Sequence, residues 1–171
     1  PLPGGDLLAG IVSATTMLTA AVASLALIAL RKKHPDLPRP FRVPAARFTG
    51  TVSFIFASLI TYWCGWNVNE TVLIVLGVGI VLLLLTIPGM GSAGRELKSR
   101  HALWLLPWLG GIFTLSLLSD YSGGLAIIPA PWGELAVIFW CLALAPIAVR
   151  SALDGKTSKR ILDEVIDESA A

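Results

Sequence analysis

The side chains able to do chemistry in this sequence are few and widely spaced. Cys64 and Cys141 lie 77 positions apart, each inside an apolar run. There is no Cys-x-x-Cys and no Cys/His pair at metal-ligand spacing. Both cysteines therefore read as buried thiols that pack as small hydrophobes. His34 and His101 each stand among basic residues without a partner at ligand spacing and read as polar flanks. Asp6, Glu70, Asp120 and Glu134 fall at the edges of apolar runs, never in their middle. An enzyme site or ion pathway inside such runs needs a titratable pair or a metal ligand set. The runs offer Ser, Thr, Tyr and Cys instead. The expectation is no catalytic residue, no metal, no cofactor and no enzyme activity.

The elements that hold these residues follow from composition. Of the 171 residues, 55% are hydrophobic and 14% charged, and mean hydropathy is +0.77. A soluble domain carries about 25% charged residues. A disordered chain needs low hydrophobicity and high charge. A net charge of +2 is small, a nucleic-acid site would need its basic residues clustered on one exposed face, and no nucleic-acid partner is expected. Crossing the hydrocarbon core takes about 20 apolar residues per helix. Five runs approach that length, at about 7–30, 48–69, 71–88, 102–119 and 132–149. Apolar runs of this length have one way to satisfy their backbone in lipid, the helix. The expected fold is thus all-α and integral to the membrane, with five transmembrane helices and a cytoplasmic tail over 150–171. The chain opens at Pro1, shows no signal-peptide pattern, and reads as part of a longer protein.

Charge sets the orientation. Six basic residues follow the first run (Arg31, Lys32, Lys33, Arg39, Arg42 and Arg47). Three follow the third (Arg95, Lys98 and Arg100), and four follow the fifth (Arg150, Lys156, Lys159 and Arg160). The intervening loops, Asn67 to Glu70 and Asp120 to Gly133, carry none. The positive-inside bias makes the basic loops cytoplasmic, the start of the segment external and its C-terminus internal. Trp63, Trp66, Trp104 and Trp132 fall at the ends of runs, where amphipathic rings sit at headgroup level.

The first and third runs differ in side-chain size. The first is rich in Ala, Gly, Ser and Thr, and Thr16, Ala20 and Ser24 repeat every four positions. Small residues allow close helix contact, so this helix is expected to be enclosed by others. From Val72 to Leu85 the third run is Val, Ile or Leu except at Gly77 and Gly79, which suits a helix facing lipid.

The stretch Leu30 to Pro44 reads LRKKHPDLPRPFRVP. It is a cationic loop held extended by Pro35, Pro38, Pro40 and Pro44, and its basic residues can attract anionic headgroups. This string resembles the loop between the tenth and eleventh helices of amino acid permeases in the amino acid–polyamine–organocation (APC) superfamily. The matching positions are Arg31, Lys32, Lys33, Pro35, Asp36, Leu37, Arg39, Pro40, Phe41, Val43 and Pro44. More weakly, YWCGW at Tyr62 to Trp66, LPWLGG and IIPAPWGE resemble the same group.

The resemblance implies that the five runs are helices 10–14 of a five-plus-five inverted-repeat transporter in the plasma membrane. Its substrate would be an amino acid or related amine, bound at unwound helices that precede this segment. It implies no substrate-binding residue here, with Thr16, Ala20 and Ser24 as candidate gate-lining positions. The implied partners are the bilayer, the preceding helices of the same protein, the amino acid substrate and a second copy as homodimer. The alternative is a stand-alone membrane scaffold or assembly subunit without transport. Beyond Arg150, Thr157 to Glu168 has the spacing of a short amphipathic surface helix, with Ile161, Leu162, Val165 and Ile166 on one face.

Overall fold

The computed structural model describes residues 5–33, 45–86 and 104–151. These form five helices: α1 (Gly5–Lys33), α2 (Ala46–Trp63), α3 (Trp66–Thr86), α4 (Leu105–Leu118) and α5 (Trp132–Ser151). The amphipathic tail expected over Thr157 to Glu168 lies outside the described residues.

By length and composition, α1, α3 and α5 can each cross a membrane. The other two depart from the expectation of five transmembrane helices. α2 has 18 residues and includes Arg47 together with Thr49, Thr51, Ser53, Ser58 and Thr61. Burial explains part of this polarity, since Ser58 and Thr61 are enclosed with Phe54, Ala57, Leu59 and Tyr62, whereas Arg47, Thr49 and Ser53 are exposed. A helix packed on protein does not need a lipid-soluble surface. α4 has 14 residues, about 21 Å at 1.5 Å per residue, well short of a bilayer core of about 30 Å.

After α4 the chain doubles back. Ser119 forms an isolated bridge with Ile128. The backbone N–H groups of Leu125, Ala126 and Ile127 donate to the carbonyls of Leu117, Ser119 and Leu118, at 2.7, 2.9 and 3.0 Å. The open carbonyls at the end of α4 are thereby capped by the chain itself. Irregular backbone at membrane depth is tolerated where protein supplies such partners.

The sequence reading placed Asn67 to Glu70 in a loop. The structure corrects this, because the turn comes earlier, at Cys64–Gly65, and residues 67–70 begin α3. Gly65 makes the turn with φ +80°, a left-handed conformation that favours glycine. A Cβ there would also lie 2.7 Å from Ser122 Cβ. The turn is thus seated in the loop after α4, and Asn67 N–H donates to the Ser122 carbonyl at 3.1 Å.

The core centres on α2, α4 and α5. Trp108 and Phe54 meet with ring centroids 5.4 Å apart, Trp108 donates to Ser58 Oγ at 3.3 Å, and Ile112, Val137 and Cys141 are buried with them. α1 lies against α2, joined at Gly50, where an added Cβ would come within 2.7 Å of Ile28. Its buried positions Ala14, Leu18, Ala21, Leu25 and Ile28 alternate by four and three, one stripe of a helix. Cys141 is buried, as expected, and Cys64 is half-buried.

Candidate functional site

Three places carry the polar groups of this bundle: the free face of α1 and the two ends. The candidate gate-lining positions lie on α1. Thr16 and Ala20 are exposed, and Ser24 is half-buried. The Thr16 hydroxyl donates to the Val12 carbonyl at 2.7 Å, and Thr15 and Thr19 bond back to their own helix in the same way. Such back-bonding satisfies a hydroxyl inside an apolar layer without a second helix. Ser24 differs, donating to Ala20 O at 2.8 Å and meeting Ser53 Oγ of α2 at 2.9 Å. The stripe is therefore split: Ser24 joins α1 to α2, while Thr16 and Ala20 face outward with Ser13 and Ala23. The enclosure expected for this helix is thus supplied by these residues on one side only.

The ends of the bundle separate the charges. Among the described residues, the last turn of α1 carries Arg31, Lys32 and Lys33, the first turn of α2 carries Arg47, and the last turn of α5 carries Arg150. Lys32, Arg47 and Arg150 line one cleft, so these three helix ends lie together. The rest of the loop motif, Pro35, Asp36, Arg39, Pro40, Phe41 and Pro44, lies outside the described residues. The described acids sit at the opposite helix ends: Asp6 opens α1, Glu70 lies in the second turn of α3, Asp120 follows α4 and Glu134 is in the first turn of α5.

At that acidic end the structure adds pairings that the sequence reading missed. Glu134, at the edge of an apolar run in the sequence, is half-buried. Its Oε1 accepts from the Tyr121 hydroxyl at 2.6 Å and from Trp63 Nε1 at 3.5 Å. The hydrogen bond to Glu134, with burial and the carboxylate charge behind it, pushes the Tyr121 phenol up to about 12. It remains a donor at neutral pH. Tyr62 meets Tyr121 edge-on with centroids 5.4 Å apart. One turn deeper, Asn69 is fully buried and donates from Nδ2 to the Thr61 carbonyl and to Ser116 Oγ, each at 2.9 Å. Asn69 thereby ties α3 to α2 and α4. A buried amide bridging three helices suits a structural clasp. The partners of Asn69 and Glu134 lie 8 to 71 positions away in sequence, so no local spacing announces them.

Among the described residues no group of three or more His, Cys, Asp or Glu side chains could hold a metal ion. An apolar cleft of about 400 Å³ lies between α1, α3 and α4, lined by Ile11, Thr15, Leu18, Val72, Leu76 and Leu109 among others. It contains no charged side chain.

No family model and no solved structure matches the chain. Three proteins of Bacillus subtilis do match in sequence. The aspartate-proton symporter is 33% identical over 158 residues, covering 82% of this chain and 29% of the relative. The glutamate/serine transporter AimA is 27% identical over 149 residues, 86% of this chain and 28% of the relative. The branched-chain amino acid permease BcaP is 34% identical over 80 residues, 47% of this chain and 17% of the relative. The chain spans less than a third of the length of each relative. Together with the apolar helices, these matches make the chain a homologue of bacterial amino acid permeases of the APC type.

Proposed function

We propose that the chain is the C-terminal scaffold portion of a secondary active transporter that moves amino acids or related amines across the plasma membrane. Its five helices then stand as helices 10–14 of an inverted-repeat architecture, with the substrate held by helices that precede them. The observation that carries this reading is the uncovered face of α1, where Ser13, Thr16, Ala20 and Ala23 are exposed. That face has the composition of a helix–helix contact, and among the described residues no helix meets it. Relatives about three times the length of this chain have room for the helices that would cover it.

In this reading Thr16 and Ala20 border the permeation path and help gate it, and α2 to α5 provide support and contacts for a second copy. The basic end of the bundle faces the cytoplasm, because Lys and Arg gather there. Labelling in oriented vesicles should find Arg42 inside and Glu70 outside. A reporter fused after Ala171 should read cytoplasmic, and one at Ser122 external.

The functional test is complementation of split halves. Liposomes holding these 171 residues alone should show no amino acid uptake, whereas uptake should appear when the preceding part of the protein is supplied as a separate chain. Uptake by the segment alone would overturn the scaffold reading. A complete protein that ends upstream of Pro1 and still transports at full rate would favour an accessory membrane subunit.

A further inference from the structure

The basic end holds a cleft of about 290 Å³ between α1, α2 and α5. Lys32 comes from the last turn of α1, Arg47 from the first turn of α2 and Arg150 from the last turn of α5. They are separated by 15 and 103 positions in sequence, yet they line one cavity. Among the described residues no carboxylate pairs with any of the three, and the four described acids lie at the far helix ends. Thr51 also lines the cleft, but its hydroxyl is engaged with the Arg47 carbonyl at 2.8 Å. The donors that remain for an incoming group are cationic. The other wall is apolar, formed by Ile28, Leu142, Pro146 and Val149.

We propose that this cleft is a binding site for an anionic phospholipid. Its headgroup phosphate is held by Lys32, Arg47 and Arg150, and its first acyl carbons lie along the Leu142–Pro146 wall. Two features select a lipid over a free phosphate. The site lies at the ends of apolar helices, where a membrane places its phosphates, and half of its lining has nothing to offer a soluble anion. Clustered Lys and Arg between helices hold acidic headgroups, each cation adding about 1 kcal/mol, or about fivefold in affinity. Arg47 also stands at the start of α2, where unpaired N–H groups favour an anion. The site would couple α1, the helix with the uncovered face, to α5 through one shared ligand.

The test uses the intact protein that carries this chain, delipidated in detergent and titrated with phosphatidylglycerol or phosphatidylcholine. Bound lipid is counted by native mass spectrometry. The expected result is a preference for phosphatidylglycerol of about a hundredfold, falling about fivefold in Arg150→Gln and to near parity in the combined Lys32→Gln, Arg47→Gln and Arg150→Gln variant. Glycerol phosphate at millimolar concentration should leave the bound lipid in place. Equal retention of both lipids, or an unchanged preference in the triple variant, would overturn the proposal. Displacement by glycerol phosphate would assign the cleft to a soluble anion instead. Should the triple variant not fold, Leu142→Asp, which keeps all three cations and spoils the apolar wall, should weaken lipid retention by about tenfold. Undiminished retention in that variant would likewise overturn it.

Discussion

The exposed surfaces of α1 and α3 differ in kind. Beyond Val72, α3 presents Leu73, Ile74, Val75, Val78, Ile80 and Val81, all exposed. α1 presents Ser13, Thr16, Ala20 and Ala23. Branched aliphatic chains project far from the helix axis and meet disordered acyl chains without loss. Small and hydroxyl-bearing residues leave a shallow, grooved surface, which gains most when another backbone approaches it. Under the proposed function, exposure then means lipid for α3 and a protein partner for α1.

The comparison can be broken by adding bulk to both faces. Under the proposed function, Ala20→Trp in the intact protein should reduce amino acid uptake by tenfold or more, because overpacking a tight contact costs about 1–3 kcal/mol. Val78→Trp on α3 should leave uptake within about twofold, since lipid yields to it. Equal damage from both, measured in liposomes at matched protein levels, would remove the distinction.

A slightly smaller effect is expected at the seam already present. Gly50→Val places a side chain against Ile28 and within about 3.1 Å of the Ser24 carbonyl, where α2 packs on α1. It should cost about 1–3 kcal/mol, read as a lower midpoint in detergent-induced unfolding. Gly77→Val on α3 meets open space and should move the midpoint little.

The polar clasp calibrates the same bundle. Asn69→Leu removes the bonds to Thr61 and Ser116 and should cost about 1–2 kcal/mol, the scale of interhelical hydrogen bonds in membranes. The smallest effect belongs to Thr16→Ala. Its hydroxyl is already satisfied by Val12 O, so stability should shift by less than about 0.5 kcal/mol. A change in uptake at constant stability would then assign Thr16 to the permeation path.

Much of this was visible along the chain, for physical reasons. Apolar runs near 20 residues must be helical in lipid, so the five helices emerge from counting, and the alternation of Lys and Arg foreshadows Lys32, Arg47 and Arg150 sharing one end. The turn between α2 and α3 was misplaced because polarity pointed to Asn67 to Glu70. The bend depends instead on the backbone of Gly65 and on Ser122, more than fifty residues later. The shortness of α4 was hidden for a related reason. Leu125 to Ile128 are apolar, and only the fold reveals that their N–H groups cap that helix. The Tyr121–Glu134 and Asn69–Ser116 bonds depend on which helices become neighbours, and hydrophobic periodicity does not encode neighbours.

The most direct test replaces Cys64 and Cys141, introduces single cysteines by Ala20→Cys and Val78→Cys in the intact protein, and attaches spin labels in reconstituted bilayers. Oxygen dissolved in the lipid should relax the label at position 78 strongly and the label at position 20 weakly, as for a site covered by neighbouring helices. Equally strong oxygen relaxation at both positions would place α1 in lipid and contradict the account.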